Sequence, residues 1–364
     1  MQLAAIELNG FRCWSALSLE FPSGRVAIVG ANASGKTSIV EAAWYAATLS
    51  SHRAPDAALV MRGRDSAVVR ATALRDARTQ VVELEIRTQG ASRAQLGGAP
   101  VRRKREILGT LRASLFAPER LAVVRGDPLE RRRFLDEMLV QLSPRLYATM
   151  RDYDKTLRQR NALLKEAGGR VPPGLAAWDA SLAGPGGEIA AARAETIALL
   201  APHAAAAWSA IAGTGDLRIA FTPNVPDQGA AASSEDWTKA MLARLQERRP
   251  DELVRGVTLV GPHRDDVALE IDGLPARNHA SQGEAWLLAL ALVVGAHRLI
   301  ADRTGDEPVL LLDDALEPLD PDRRERVGTA LPDAQTIVTA ADPGAIPDSL
   351  GARIYRVSGG MVIA

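Results

Sequence analysis

The sequence predicts an α/β fold with a mixed sheet and an inserted, mainly helical lobe, and three observations indicate it. An apolar run at residues 26–29 leads through a glycine-rich loop into a helix that begins at Lys36. A second apolar run, at residues 309–312, ends in two acids. Such short runs are typical of strands buried on both faces. From about residue 128 to residue 208 the chain is rich in Ala, Leu, Glu and Arg at helical spacing, with a break at 168–174.

Length and composition limit the class of protein. The chain has 364 residues, of which 47% are hydrophobic, which is enough for more than one lobe. We expect residues 1–115 and 255–364 to form the α/β part, called the head, and residues 116–254 to form the helical lobe with its connecting strands and loop. The formal net charge is zero, which excludes a uniformly basic coat protein for DNA. Aromatic residues make up only 4%, so base stacking is not the expected mode of DNA contact.

The sequence also predicts the compartment. The lone cysteine, Cys13, forms no internal disulfide, as in a protein of a reducing compartment. The N-terminal residues lack the basic and apolar segments of a secretion signal. The apolar run at residues 285–296 is too short to span a bilayer and predicts a buried helix. We therefore expect a cytoplasmic protein with no membrane contact.

Hydrophobic periodicity predicts the remaining elements. Strands are expected around residues 3–21 and 64–88, and residues 216–274 are expected to form strands and loops, with an exposed loop at 223–234. The other expected elements are helices at 36–47, 283–302 and 321–330, and strands at 335–340 and 352–357.

Residues 30–37 match the phosphate-loop pattern G-x-x-x-x-G-K-[ST]. In this pattern glycine permits backbone angles that turn N–H groups inward around a phosphate, and the following helix adds its positive end. Lys36 is expected to reach the β- and γ-phosphates of ATP, and the Thr37 hydroxyl to bind Mg²⁺. The predicted nucleotide-binding residues are Gly30, Ala31, Asn32, Ala33, Ser34, Gly35, Lys36, Thr37 and Ser38.

Two acids follow the second buried strand. A strand of this kind can deliver a carboxylate to the Mg²⁺ shell beside a phosphate loop. Asp313 is the metal candidate, and Asp314 is placed to polarise the attacking water. The alternative is that the two acids only cap a helix, but the presence of the phosphate-loop motif favours the Mg²⁺ site.

A kinase or a GTPase could contain both motifs, and a third motif separates the classes. Ser281-Gln282-Gly283 precedes a strongly apolar helix about thirty residues before Asp313. In ABC-type ATPases a Ser-x-Gly signature lies here and contacts the γ-phosphate of ATP held by the opposite subunit, since hydroxyl, N–H and helix dipole all favour an anion. The same residues could form an ordinary cap. Asp320 stands at the D-loop position, and residues 336–339 begin the strand where a switch residue is expected.

Several ordered blocks resemble the RecF family of recombination mediators over nearly the whole chain. Most specific is the stretch at residues 118–136. The residues that carry the resemblance there are Pro118-Glu119, Val123-Val124, Gly126-Asp127-Pro128, Arg131-Arg132 and Phe134-Leu135-Asp136. Residues 261–266 (Gly-Pro-His-Arg-Asp-Asp), Phe11-Arg12, Ser51-His52-Arg53 and Trp178-Asp179 are similar to other blocks of the family.

The resemblance implies an ABC-type head with a short helical lobe in place of a long coiled coil. It also implies ATP-dependent homodimerisation on double-stranded or gapped DNA, slow ATP hydrolysis, and work with RecO and RecR to load RecA. Three positions depart from the family. Ala33 stands for a usual glycine, Glu284-Ala285-Trp286 for Gln-Gln-Arg, and Glu317-Pro318 for Ser-Glu in the D-loop. All three lie at the expected dimer interface.

A local basic excess predicts where DNA could bind. Residues 91–133 hold eleven basic and four acidic side chains, a difference of +7 on a neutral chain. Such an excess can contact phosphates without reading bases. The basic residues are Arg93, Arg102, Arg103, Lys104, Arg105, Arg112, Arg120, Arg125, Arg131, Arg132 and Arg133. Arg102, Arg103, Lys104 and Arg105 are the DNA candidates, while a structural role is favoured for residues 131–133.

Two arginines outside this stretch also have more than one interpretation. Arg53, after the first helix, could reach adenine or ribose. For Arg264 we expect an ion pair with Asp265 or Asp266 rather than a functional contact.

Two other functions stay open at this point. One is an ATPase subunit of a defence or nuclease system, which a partner gene or a fused nuclease lobe would favour. The other is an ATP-gated clamp with little hydrolysis, which the altered interface residues favour. Zinc is not expected because the sequence has no Cys/His cluster, and no G-x-S-x-G motif supports a serine hydrolase.

Overall fold

The computed structural model describes residues 1–76 and 78–363. The chain divides into two compact units. The head comprises Met1–Val124, His203–Asp216 and Ala280–Ala364, and the helical lobe comprises Arg125–Pro202 and Leu217–His279.

Regular elements account for most of both units. In chain order the strands are β1 Gln2–Phe11, β2 Trp14–Glu20, β3 Arg25–Val29, β4 Ser66–Arg75, β5 Arg78–Arg87, β6 Arg93–Leu96, β7 Ala99–Pro100, β8 Ala113–Phe116, β9 Leu217–Thr222, β10 Asp266–Ile271, β11 Leu274–Pro275, β12 Val309–Leu312, β13 Thr336–Ala340, β14 Arg353–Ser358 and β15 Met361–Ile363. The helices are α1 Lys36–Thr48, α2 Leu121–Arg125, α3 Pro128–Leu142, α4 Leu146–Glu166, α5 Leu175–Ala212, α6 Ser234–Arg255, α7 Ala276–His279, α8 Gln282–Thr304 and α9 Pro321–Ala330.

The predicted unit boundaries differ from the observed ones because of strand pairing. β8 belongs to the head because it pairs in parallel with β12, and the chain continues from it into α2. Near residue 266 the chain forms β10, which pairs with β9 and β11 in the helical lobe rather than with a head strand. Residues 255–279 therefore cluster with the lobe, and residues 116–124 with the head. Residues 203–216, which include the end of α5, also cluster with the head, although they were expected in the lobe.

Among its described residues, the head contains two six-stranded sheets. One is mostly parallel, with the order β15-β14-β3-β13-β12-β8, and the other is antiparallel, with the order β2-β1-β4-β5-β6-β7. In the parallel sheet β13 lies between β3 and β12. Because the carboxyl ends of parallel strands lie at one edge of a sheet, the loops after β3, β12 and β13 share that edge.

Burial matches the pattern of each sheet. Val26, Ile28 and the apolar residues of β12 are buried on both faces, as expected for inner parallel strands. The antiparallel sheet instead alternates, since Ile6 and Leu8 of β1 are buried whereas Glu7 and Asn9 are exposed. On its other face Arg70 pairs with Glu83 at 2.6 Å across neighbouring strands.

α8 is the main apolar helix of the head. Gln282–Thr304 is long and apolar enough to cross a membrane by length and composition, which corrects the expectation from its shorter apolar run. However, 83% of its most apolar window is buried inside the head, so it has the character of a core helix. Ala204 on the last part of α5 approaches it closely: a Cβ on Gly295 would lie 2.7 Å from Ala204 Cα.

The helical lobe has the predicted break and one helix that the sequence interpretation missed. The break lies between α4, which ends at Glu166, and α5, which begins at Leu175. Residues 216–274 were expected to form strands and loops, but α6 occupies Ser234–Arg255. Ser233 caps this helix by accepting a bond from Asp236 N, and Gly256 ends it in the left-handed conformation. Pro250 and the many charged residues hide its apolar stripe.

The apolar stripe of α6 forms part of the core of the helical lobe. Trp237, Met241 and Leu245 recur every fourth residue, are each no more than 1% exposed, and pack with Leu182 and Ile189 of α5.

A buried arginine and its partners form a polar cluster in the helical lobe. Arg160 of α4 is fully buried and bonds Asp179 at 2.9 Å, Thr258 at 2.8 Å and Glu252 at 2.6 Å. A buried charge with several good partners is tolerated, whereas removal of one partner would leave the other uncompensated. Asp179 of the Trp178-Asp179 block therefore has a structural role.

Candidate active site

The loop at residues 30–37 has the shape of a phosphate cradle. Gly30 follows β3, and a Cβ there would lie 2.5 Å from the carbonyl oxygen of Val357. Gly35 has φ +104°, and a Cβ there would lie 2.8 Å from both Cys13 and Trp14. Trp14 also donates a hydrogen bond to the Gly35 carbonyl at 3.1 Å. Only glycine fits these two positions, so the motif is held by its surroundings and is not a chance match in a surface loop.

Ala33 is the departure inside this loop. It adopts φ +62°, a left-handed conformation that a residue with a Cβ occupies at a cost of about 1 kcal/mol. The loop thus keeps its left-handed conformation without the usual glycine.

Lys36 and Thr37 begin α1 at the mouth of the cradle. Lys36 is buried, and its Nζ donates to the carbonyls of Gly30 at 2.7 Å and Ala31 at 3.1 Å. Its charge is therefore held within the loop. Thr37 Oγ1 donates to Asp313 Oδ1 at 3.1 Å, which joins the phosphate loop to the end of β12.

The two acids meet one buried hydroxyl. Thr339 of β13 is fully buried, and its Oγ1 lies 2.7 Å from Asp313 Oδ1 and 3.0 Å from Asp314 Oδ1. The Asp314 N–H donates to Thr339 Oγ1 at 3.0 Å. Asp314 adopts φ +49°, a left-handed conformation that these contacts hold. The sequence interpretation placed a switch residue in this strand but did not connect Thr339 with the acids.

Burial also sets the protonation of the first acid. The pKa of the Asp313 carboxyl is raised to about 6, chiefly by desolvation and further by the charge of Asp314. Hydrogen bonds from Thr339 and Thr37 and the charge of Arg53 act in the opposite direction. A nearby cation would therefore stabilise the ionised form of Asp313.

An open cavity of about 670 Å³ lies over the loop. It is lined by residues 32–38 of the loop and α1, by Asp314, and by three arginines, Arg12, Arg53 and Arg62. Arg12 is held by both carboxylate oxygens of the buried Glu41 at 2.7 Å. Arg53 pairs with the exposed Glu119 at 3.0 Å. The sequence indicated Arg12 only as part of a block that resembles the family, and it gave no sign of Arg62 because no motif contains it.

The donor groups fit ATP and Mg²⁺. Backbone N–H groups at the start of α1 and the Lys36 ammonium suit phosphate oxygens. A hydroxyl and a carboxylate oxygen 3.1 Å apart suit Mg²⁺, which usually takes one or two protein ligands and fills its shell with phosphate and water. Within residues 1–76 and 78–363 there is no cluster of three His, Cys, Asp or Glu side chains for another metal.

The signature residues form a complete helix cap. Ser281 Oγ accepts from Glu284 N at 3.3 Å, and Glu284 Oε2 accepts from Ser281 N at 2.8 Å. Glu284, one of the departures, is thus the acidic partner of a capping box, and its bonds to Ser281 lower the pKa of its carboxyl. Ser281, Gln282 and Gly283 do not line the cavity over the phosphate loop. A Cβ on Gly283 would lie 3.1 Å from Arg323, a residue of α9.

The other departures have local partners. Trp286 Nε1 donates to the carbonyl of Ala315 at 2.9 Å, directly after the two acids, and its ring packs edge-on against Phe116. Glu317 accepts a hydrogen bond from Ala341 N, just after β13. Asp320 caps α9 by accepting from Arg323 N at 2.9 Å. The D-loop is therefore tied to the acids and to the end of β13.

The basic patch is smaller than the sequence count suggests. Arg112 is mostly buried and pairs with Asp306 at 3.0 Å, while Arg120 is buried over the Trp44 ring. Arg131 pairs with Asp266 at 2.6 Å, as the structural interpretation expected. Arg102 and Arg103 are exposed, and Lys104 lies 3.7 Å from Asp56.

The expected pairing of Arg264 was wrong. Asp265 pairs with Arg193 at 3.0 Å, and Asp266 pairs with Arg131. These two arginines approach from α5 and α3, so their partnership depends on tertiary packing rather than on sequence neighbours.

Comparison with known proteins agrees with this geometry. Residues 2–359 match a family model described as the RecF/RecN/SMC N terminal domain. The chain aligns with the structure of the recombination mediator protein RecF-ATPrS in the RecFOR pathway at a TM-score of 0.90 and 26% identity, covering 99% of this chain and 97% of that chain. An SmcHead bound to the C-winged helix domain of ScpA matches at a TM-score of 0.57 and 16% identity, over 100% of this chain and 96% of that chain, and this shows the fold alone. Fold and site thus define an ABC-type ATPase head of the RecF/RecN/SMC class.

Sequence relatives are more specific. The chain is 44% identical over 388 residues to the DNA replication and repair protein RecF of Kineococcus radiotolerans, covering 100% of this chain and 99% of the relative. It is 45% identical over 378 residues to the protein of the same name from Frankia alni, with the same coverage. The chain belongs to the RecF family and is a RecF-like recombination mediator. The predicted fold class and the resemblance are both confirmed.

Proposed function

We propose that the head binds ATP with Mg²⁺ and hydrolyses it slowly while the protein acts on DNA in the cytoplasm. The observation that carries this proposal is the contact of Thr37 and Thr339 with Asp313 beside an intact phosphate loop. These groups come from three segments distant in sequence, and they meet where a phosphate-bound cation would lie.

The proposed roles follow from the chemistry of each group. The N–H groups of residues 30–38 and the Lys36 ammonium bind the phosphates, and Lys36 exchanges its loop carbonyls for β- and γ-phosphate oxygens. Thr37 and Asp313 hold Mg²⁺, which supplies charge neutralisation on the phosphates when bound. Asp314, held by Thr339 at the cavity wall, orients the attacking water and accepts its proton.

The second half of each catalytic centre is proposed to come from a second copy of the chain. Ser281 and Gly283 offer a hydroxyl and an N–H at the start of α8, outside the cavity of their own head. ATP bound to one head would then contact the signature residues and the D-loop of the second head. This arrangement supports an ATP-dependent homodimer. ATP hydrolysis releases the two heads, because the hydrolysed nucleotide has a lower affinity for the closed dimer than ATP has.

DNA, RecO and RecR are the proposed partners. The sequence relatives are DNA replication and repair proteins, and the similar solved structure is of a mediator in the RecFOR pathway. By that relationship the dimer forms at gapped DNA and helps RecO and RecR to load RecA. The exposed Arg102 and Arg103 remain candidates for phosphate contact.

The dimer model is tested with Ser281→Arg. The added side chain would block an approaching γ-phosphate by its bulk, yet it leaves the phosphate loop untouched. Sedimentation with ATP and Mg²⁺ should show the parent as a dimer and the variant as a monomer that still binds ATP. Ser233→Arg is the matched control, because Ser233 also accepts from a capping-box partner but lies in the helical lobe. A parent that stays monomeric with ATP and gapped DNA at high concentration would contradict the model.

A further inference from the structure

We propose that the exposed face of α4 in the helical lobe binds the phosphate backbone of duplex DNA. The face is formed by four cations, Arg151, Lys155, Arg158 and Lys165, which we call the α4 stripe. The inference rests on the proposed DNA binding and assigns a surface to it that differs from Arg102–Arg105 in the head.

Helical geometry places these four side chains together. Their spacing of four, three and seven residues keeps them within an arc of roughly 80° on one side of the helix. All four are exposed. The opposite side of α4 carries Tyr153, Arg160 and Leu164, which are all buried in the lobe. The stripe is therefore the solvent-facing side of a helix whose other side is anchored.

The cations of the α4 stripe are not held in ion pairs. Within the described part of the chain, none of the four side chains lies within ion-pair distance of a carboxylate. Asp154, beside the stripe, interacts with Arg158 and Arg151 only at longer range. The remaining acids of the helix, Asp152 and Glu166, lie roughly 100° and 60° from the centre of the stripe.

The neighbouring helix α6 shows what a neutralised surface looks like in the same lobe. There Lys239 pairs with Glu235 at 2.9 Å, and Arg244 pairs with Glu247 at 2.6 Å. Arg248 likewise pairs with Asp251 at 3.0 Å. These cations have acidic partners three or four residues away, which is the usual arrangement on a solvated helix. On α4, Asp154 and Asp152 stand at the same spacings from Arg151, Arg158 and Lys155, but within the described residues they form no ion pair with them, so the charge of the stripe is open to an external polyanion.

Length and rigidity suit a duplex. The stripe extends over about 21 Å, at 1.5 Å per residue. A DNA strand presents a phosphate about every 3.4 Å along the helix axis, so several phosphates lie within this reach. A row of cations on a rigid helix can follow them without reading bases, which gives binding that is independent of sequence and sensitive to salt.

The test replaces all four cations with glutamine and measures binding of a labelled 30-base-pair duplex by fluorescence anisotropy over a series of salt concentrations. If each cation neutralises one phosphate, the slope of log affinity against log salt should become shallower by about 3 to 4. Variants with Arg151 and Lys155, or Arg158 and Lys165, replaced in pairs should each show about half of this change. Because the four side chains are exposed and unpaired, the melting temperature should stay that of the parent.

Two control variants identify the surface. Glutamine at Lys239, Arg244 and Arg248 removes three paired cations from α6 and should leave affinity and slope unchanged. Glutamine at Arg102, Arg103 and Arg105 tests the alternative surface in the head. A stripe variant that binds duplex DNA with the affinity and slope of the parent would overturn the inference while leaving DNA binding intact. A parent that binds no duplex at low salt would instead remove the proposed DNA binding, and the stripe with it.

Discussion

Thr339 shows how one side chain can fix the geometry of two neighbouring acids. Its hydroxyl is buried between two carboxylates and also accepts the Asp314 N–H, so it fixes both the side chain and the left-handed backbone of Asp314. The hydroxyl has a single proton, which it can donate to only one carboxylate at a time. Once a cation neutralises Asp313, that proton is available to orient Asp314.

Asp314→Asn tests the role of the second acid. The amide keeps the shape of the side chain but accepts no proton, so hydrolysis should fall by about 10²- to 10⁴-fold. Binding of ATP should persist because Lys36, Thr37 and Asp313 are unchanged, and dimers should accumulate with ATP. Turnover and nucleotide binding are measured on the same preparation. A variant that turns over as fast as the parent would show that Asp314 is not the base.

At the scale of elements, the lobe contains a buried histidine that links its stability to pH. His263 Nε2 donates to the Thr258 carbonyl at 3.2 Å, so Nδ1 accepts from the Tyr153 hydroxyl at 2.7 Å. This arrangement requires the neutral ring. Burial, together with the charges of Arg264, Arg132 and Arg193, lowers the pKa of His263 to about 4.

The sign of the pH effect follows from that shift. An unfolded histidine takes up a proton near pH 6.5, whereas the folded one stays neutral until about pH 4. The stabilising effect is thus present above pH 6.5 and is lost as pH falls towards 4, by an amount on the order of 3 kcal/mol. Comparison of urea unfolding at pH 7.5 and pH 5 should show a larger loss for the parent than for His263→Gln. Equal losses in both proteins would mean that another group controls acid unfolding.

Element prediction succeeded where the signal was local. The phosphate loop, both acids and α9 depend on short motifs and strand patterns, and these lie where the sequence places them. α6 was missed because Pro250 interrupts a helix whose apolar face is only one residue in four. A proline inside a helix usually marks an end, and here tertiary packing of Trp237, Met241 and Leu245 overrides it.

At the scale of the whole molecule, the sequence could not show which distant residues meet. The strand order β3-β13-β12 brings Thr339 between the phosphate loop and the acids, and no spacing in the sequence encodes it. The same holds for Arg112 and Arg120, which count as basic in the sequence but are buried with partners in the fold. A count of charges along the sequence therefore overstates the size of a surface patch. The α4 stripe is defined instead by the exposure of its cations and by the absence of ion pairs to them within the described residues.

Binding of a fluorescent ATP analogue to Lys36→Met tests the central claim most directly. The substitution removes the ammonium that the buried cradle holds, and loss of a charge-assisted contact of about 1.5–3 kcal/mol corresponds to a weakening of roughly 10- to 150-fold. Lys239→Met, which removes an exposed lysine of α6, is the control and should bind like the parent. We expect this loss of affinity for Lys36→Met in a protein that remains folded. Binding at the affinity of the parent would contradict the assignment of residues 30–37 as the ATP site.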